Sequence, residues 1–206
     1  MKYYHFFYLL CIGLLIMTFI RVYIQNREIN SQLRNSTNLL IDRDSYNRLL
    51  KYREKEMYFN NGSVISQDLL LVDEHNNSIP IFDLIANNDS SSKMIIRYSA
   101  LACDACLYEE LKVLEDFFNR IGIENVIILA SNHNVRSLKV RKSTLSVDLA
   151  IFQIEETGIP FEEKNSSLFV FLLDKDFIVK DFFIPEKTLP ELSKNYYSII
   201  CEKYYK

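Results

Sequence analysis

The sequence predicts an α/β domain, a central sheet flanked by helices, carried behind an N-terminal membrane helix and a helical stalk. Three observations predict it. Met94-Ile95-Ile96-Arg97-Tyr98-Ser99 reads as a buried strand, and Asn125-Val126-Ile127-Ile128-Leu129-Ala130 is a second run rich in β-branched residues. Between them, from Asp104 to Arg120, Leu107, Leu111, Leu114, Phe117, Phe118 and Ile121 recur at the three- and four-residue intervals of a helix. Such a strand–helix–strand unit implies parallel strands joined by a right-handed crossover. Finally, Tyr3 to Ile20 is an 18-residue stretch whose only acidic or basic side chain is His5.

The chain divides into residues 1–24 as the anchor, 25–60 as the stalk and 61–206 as the globular domain. At about 1.5 Å per residue the apolar stretch reaches roughly 27 Å, close to the hydrocarbon thickness, with Tyr3, Tyr4 and Tyr23 suited to the two interfaces. A cleaved signal peptide is the competing reading. Arg21-Val22-Tyr23-Ile24 follows the span where a peptidase site needs small residues, which favours retention. Lys2 on one flank and Arg21, Arg27 and Arg34 on the other do not settle orientation. Residues 25–60 are polar and charged, free of Pro and Gly, and their scattered apolar positions hold no heptad, so they read as a spacer. Asn61-Gly62 marks a turn.

Leu69 to Val72 and Ile79 to Ile81 flank a polar segment and read as a hairpin, and Asp89 to Lys93 as a loop. Val135 to Ile154 is expected to be helical in part. Leu168 to Leu173 and Phe177 to Phe183, joined by Asp174-Lys175-Asp176, form a strand pair, and Leu189 to Tyr197 closes the chain as a helix.

Cys103-Asp104-Ala105-Cys106 lies where the first strand gives way to the helix. The pair admits three readings: a redox dithiol, half a zinc site, or two small apolar residues. A structural zinc needs four ligands, whereas Cys11 and Cys201 are distant and His75 and His133 stand singly in polar segments. The redox reading is therefore preferred, with no metal expected. Unpaired N–H groups at the helix start favour a thiolate at Cys103, and Cys106, one turn on, lies within disulfide reach.

The order hairpin, strand, Cys-x-x-Cys helix, strand, helix, strand, strand, helix resembles the thioredoxin fold, in particular its membrane-anchored bacterial thiol-disulfide oxidoreductases. The residues carrying the resemblance are Leu71-Val72-Asp73 to Ile81-Phe82-Asp83-Leu84, Ile96-Arg97-Tyr98-Ser99 entering Cys103-x-x-Cys106, and Phe171-Leu172-Leu173-Asp174-Lys175-Asp176. It implies a thioredoxin-like central sheet, no metal or dissociable cofactor, attack by Cys103 on a partner disulfide and resolution by Cys106. Substrate would dock at the family's cis-proline position, which falls here at Ser167 and Leu168. The chain departs from the family there, where no proline stands and Pro160 lies upstream. It departs again at the cysteines, with Ala102 for the usual Trp and Asp104-Ala105 for the usual Gly-Pro. The implied partners are protein thiols and disulfides of the cell envelope, a separate electron donor or acceptor protein, and the lipid bilayer via Tyr3 to Ile20. The implied place is the bacterial inner membrane, single-pass, with the domain on the periplasmic side, where disulfides persist. A non-catalytic interaction domain with a static Cys103–Cys106 disulfide is the alternative. A peroxide-reducing role is poorer, since Ala100 to Cys106 lacks the Thr and Arg companions of a peroxidatic cysteine.

Asp104 beside the thiolate points to a reductant-like or isomerase-like poise. Glu109 and Glu110 read as a solvated acidic stripe, with proton acceptance from Cys106 as the functional alternative, and Arg97 reads as a strand-edge residue. Cys201 reads as a packed thiol. With a net charge of −3 there is no electrostatic footprint for nucleic acid, and the 13 Tyr and 14 Phe read as packing.

Overall fold

The computed structural model describes residues 17, 19, 21, 23, 25, 27–28, 43–86, 92–99, 102–131, 148–164 and 167–205. The chain forms two compact units, Met1–Tyr52 and Arg53–Lys206. Tyr3 to Ile20 lies outside the described residues apart from Met17 and Phe19, and among those described no helix is long and apolar enough to cross a membrane. In the first unit residues 43–52 are helical, with Arg48 paired to Asp44 one turn back at 3.2 Å.

Residues 53–60, labelled α1, are helical as well and lead to the Asn61-Gly62 turn. Asn60 and Asn61 fasten this entry: their Oδ1 atoms accept the N–H groups of Phe161 at 2.9 Å and Phe182 at 2.8 Å. The hairpin follows as β1 (Leu70–Val72) and β2 (Ser78–Pro80), its turn closed by the Asp73 carboxylate, which accepts the N–H groups of His75 and Asn77 at 2.8 Å. Beyond Pro80 the chain turns into helix α2 (Ile81–Ala86), so Ile81 to Leu84 is helical rather than part of the hairpin. Pro80 cannot donate to a ladder, and the helix that follows buries Ile81 and Ile85 one turn apart.

Strand β3 (Ser92–Tyr98) leads to helix α3 (Asp104–Glu115), the short helix α4 (Phe118–Ile121) and strand β4 (Val126–Ala130). β3 and β4 pair parallel, as the crossover requires. After them come β5 (Ala150–Gln153), helix α5 (Pro160–Lys164), the antiparallel pair β6 (Phe169–Asp174) and β7 (Val179–Phe183), and helix α6 (Pro190–Tyr204). Within Val135 to Ile154, expected to be partly helical, residues 150–153 are a strand and 132–147 lie outside the described residues. Among the described residues the sheet has seven strands in the order β2-β1-β5-β4-β3-β6-β7, with helices against both faces. This mixed α/β arrangement, a central sheet flanked by helices, is the fold class that the sequence predicts.

The period of two along β3 divides the core. Met94, Ile96 and Tyr98 face the layer that includes Leu107, Leu111 and Leu114 of α3 and Tyr197 and Ile200 of α6. Ile95 faces the opposite layer with Ile85, Phe161, Phe169 and Phe182, whose rings meet edge-on or tilted at 5.2–5.4 Å. β3 begins at Ser92, inside the expected loop, and buries Lys93, whose Nζ donates to Glu124 O at 2.8 Å and Asn125 Oδ1 at 3.0 Å.

Arg97 is not at an edge. β3 is interior to the sheet and Arg97 is 1% exposed. A buried guanidinium needs every donor met, and this one gives Nε to Glu162 Oε1 at 2.6 Å, Nη1 to Leu129 O at 3.1 Å and Nη2 to Glu155 O at 2.7 Å. Glu162 Oε2 in turn accepts the Thr157 N–H at 2.8 Å and hydroxyl at 2.5 Å. Glu162→Ala leaves Arg97 buried and uncompensated, and is expected to cost about 3–5 kcal/mol of unfolding free energy. Urea denaturation checks it: a loss below about 1 kcal/mol would place the pair among solvent-screened bridges.

Candidate active site

Four connections meet at one end of the sheet. β3 leaves through Ser99 toward Cys103, and the Ala102 N–H donates to Ser99 O at 3.1 Å to make the turn. β4 ends at Ser131, whose N–H reaches Tyr98 O at 3.0 Å. β6 runs antiparallel to β3 with Arg97 opposite Phe169, so Ser167 precedes the paired segment by two residues at the end from which Ser99 leaves. β7 ends at the same level, Phe183 pairing with Val170, and the loop Ile184 to Leu189 follows. In open α/β sheets such a cluster at the carboxyl ends of parallel strands is where chemistry is placed.

Cys103 is the N-cap of α3, in extended backbone conformation and exposed, and Cys106 is half-buried one turn on, its N–H bonded to Cys103 O at 2.9 Å. Both are free thiols. The Cys106 S–H donates to the Cys103 sulfur, and that bond, more than any other influence, holds the Cys103 thiol below its ordinary value. The N–H groups of Cys106 and Ala105 add to it without forming a full side-chain cap, and Lys187, from the loop after β7, adds a favourable charge. Burial pushes Cys106 the other way, up to about 11, reinforced by the same hydrogen bond and by a charged Cys103. Lys187 opposes that rise and Glu186 adds to it. One helical turn thus yields an exposed, acidic thiol and a shielded, reluctant one.

Glu110 overturns the reading of a solvated acidic stripe. Glu109 is exposed and pairs with Lys112 at 3.3 Å, but Glu110 is 5% exposed, accepting the Tyr197 hydroxyl at 2.5 Å and the Ser193 hydroxyl at 2.8 Å from α6. The signal lay in the helical spacing, since position 110 falls between Leu107, Leu111 and Leu114 on the buried stripe. Burial holds its carboxyl above the ordinary 4.5, while the two hydroxyls and the charge of Arg53 restrain the rise. Arg53, in the segment read as spacer, was missed altogether. It is buried, and its Nη2 donates to Pro185 O at 3.0 Å and Glu186 Oε2 at 3.1 Å.

Of the expected docking pair, Ser167 is exposed and Leu168 is buried in the core layer containing Tyr98 and Leu107. No cis peptide occurs among the described residues, and Pro160 opens α5 instead of flanking β6. The Asp104 side chain, on which the expected reductant-like poise rests, lies outside the described residues, as do Cys11 and His133. Cys201 is buried on α6, as a packed thiol should be.

No family model matches the chain, and no curated protein matches it. Solved structures do. An uncharacterized thioredoxin-like protein from Porphyromonas gingivalis is 16% identical, with 69% of this chain and 97% of that one covered and a TM-score of 0.45. A thiol:disulfide interchange protein from a Bacteroides species is 12% identical, with 67% and 90% covered and a TM-score of 0.43. Peroxidoxin BcpB from Mycobacterium tuberculosis is 12% identical, with 69% and 98% covered and a TM-score of 0.44. Likeness of this order assigns no activity to the chain.

Two outcomes follow from the site's electrostatics. Iodoacetamide at neutral pH is expected to modify Cys103 well ahead of Cys106, read by mass spectrometry of the digested protein; equal labelling would erase the asymmetry. A carboxyl harder to ionise in the folded than in the unfolded chain costs nothing while protonated in both. The cost appears as pH rises past the unfolded value of 4.5 and is complete above the folded one. Glu110→Gln is therefore expected to gain on the wild type as pH rises from about 4 to about 8. Parallel urea titrations measure the difference, and a flat difference refutes the shift.

Proposed function

We propose that this chain is a thiol-disulfide oxidoreductase that exchanges disulfides with envelope proteins through Cys103 and Cys106. In this reading Tyr3 to Ile20 tethers it as a single-pass anchor in a bacterial inner membrane, with the domain on the periplasmic side. The observation that carries the proposal is the inequality of the two thiols: exposed and acidified at the helix start, shielded and held at about 11 one turn later. A static disulfide or two packing residues require no such division.

The thiolate of Cys103 attacks one sulfur of a partner disulfide, forming a mixed disulfide and expelling the other partner sulfur, which takes up a proton. At that point Cys103 bears no charge. Its anion and its hydrogen bond, two of the influences raising Cys106, are gone, and burial remains. Cys106 thus becomes easier to deprotonate when it must act. Its thiolate attacks the Cys103 sulfur, closing the Cys103–Cys106 disulfide and releasing the second partner sulfur. Two electrons pass to the partner and two from the dithiol, so a separate donor protein carrying a dithiol must reset the site, or an acceptor must run it in reverse. Exposed Ser167, just before β6 at the end of the sheet from which the cysteines emerge, is the proposed docking edge, with Leu168 anchoring it.

The purified chain is expected to catalyse insulin reduction by dithiothreitol, Cys103→Ser to fall to the uncatalysed rate, and Cys106→Ser to accumulate a mixed disulfide with its partner. Equal rates for wild type and Cys103→Ser refute the activity. The tether is tested separately: the full chain should stay with membranes through an alkaline carbonate wash, and release into the supernatant removes the anchor from the reading.

A further inference from the structure

Arg53 opens the compact unit, yet its hydrogen-bond partners lie at the far end of the sequence. Its Nη2 grips two points of the loop after β7, Pro185 O and the Glu186 carboxylate, and its own side chain is 7% exposed. The loop is closed on the same glutamate from the other side: the Thr188 hydroxyl donates to Glu186 Oε1 at 3.1 Å and the Leu189 N–H to Glu186 O at 2.8 Å. Lys187 is the residue between these anchored points. The loop itself leaves the sheet at the end from which the cysteines emerge.

We propose that Arg53 is a positioning residue for the dithiol, gripping Pro185 and Glu186 so that the exposed Lys187 is held within electrostatic reach of Cys103 and Cys106. The inference rests on the exchange chemistry proposed above. Lys187 does not hold itself there, because the attraction of an exposed lysine to a thiolate in water is weaker than the entropy of ordering a loop. A buried guanidinium whose acceptors are a carbonyl and a carboxylate is the stronger constraint. Among the described residues, the charged side chains that act on the two sulfurs include Lys187 and Glu186 of the loop, and Arg53 acts on Glu110 of α3 as well. The helix through which the chain enters the domain is thereby mechanically joined to the redox pair.

The test reads the thiolate itself. The pH dependence of Cys103 alkylation by iodoacetamide is measured for the wild-type chain, Arg53→Gln, Arg53→Met, Lys187→Ala and the Arg53→Gln/Lys187→Ala pair, with circular dichroism confirming each fold. The Arg53 variants are expected to raise the midpoint by about half a pH unit, slowing alkylation at neutral pH about threefold. In the Lys187→Ala background the Arg53 substitution should add nothing. An unchanged midpoint in a folded Arg53 variant, or the same shift with and without Lys187, overturns the proposal. Glu186→Gln guards against loss of the fold, because its two possible effects have opposite signs. Losing an anion alone lowers the midpoint, losing the loop's anchor raises it, and anything but a rise counts against the proposal. Alkylation needs no protein partner, so failure to reduce insulin and failure of this inference are separate results.

Discussion

The fixed register of β3 is the constraint on which the rest of the molecule depends. It pairs parallel with β4 and antiparallel with β6, and all seven of its residues are buried. Sliding it by one position would turn Met94, Ile96 and Tyr98 away from the α3–α6 layer and drive Arg97 into it, away from Glu162 and the Leu129 and Glu155 carbonyls. That penalty is several times larger than the ~1 kcal/mol typical of one neutral hydrogen bond. Because β3 cannot slip, Ser99 always ends at the same height and the turn through Ala102 delivers Cys103 to the same place.

What was legible in the chain follows the range of the interactions involved. The strand before the cysteines, the helix after them, the parallel strand beyond and the terminal hairpin are written in local periodicity and β-branched runs, and all four are found, though β3 starts two residues early and the single helix expected to Arg120 is broken after Glu115 into α3 and α4. Ala150–Gln153 was not legible, since four residues on a half-buried strand carry neither a wholly apolar run nor a clear alternation. Cys103 and Cys106 announce themselves by type. Arg97 could not, because its burial depends on Glu162, 65 residues away, and on carbonyls that only the folded sheet gathers. Arg53 has its acceptors more than 130 positions on, so in sequence it is one more charge in a polar helix. Glu110 is the intermediate case. Its place on the apolar stripe could be counted, but the Tyr197 and Ser193 hydroxyls that make a buried carboxylate tolerable come from another helix.

The two buried arginines solve the same problem for different ends. Arg97 lies in the sheet layer opposite α3 and is enclosed by Glu162, Glu155 and Leu129, so its charge is spent on cohesion between β3, β4 and α5. Arg53 reaches a loop at the sheet end that carries the thiols. Both are met by a carboxylate and by carbonyl oxygens, Arg97 through Nε, Nη1 and Nη2 and Arg53 through Nη2, its Nε and Nη1 being buried without a hydrogen-bond acceptor among the described residues. Only the second is met by groups that also act on a sulfur.

The division of labour between the cysteines comes from their backbone positions more than from the two residues between them. An N-cap side chain stands outside the first turn, where free amides converge and water has access. A side chain three residues later has rotated onto the face that α3 turns toward the core, continuing to Leu107, Glu110 and Leu111. Any sequence forming this helix at this height puts one sulfur in solvent and shelters the other. The two residues between the cysteines, Asp104-Ala105, therefore leave this difference in exposure intact, and under the proposed exchange chemistry what they alter is poise, the relative stability of dithiol and disulfide. Poise is a matter of charge around a thiolate, and among the described residues the groups that set it include amide dipoles, a sulfhydryl donor and Lys187 in favour, burial and Glu186 against. Most of that set is backbone or fixed by packing, which leaves the loop after β7 as the element through which the balance can be altered without disturbing the sheet.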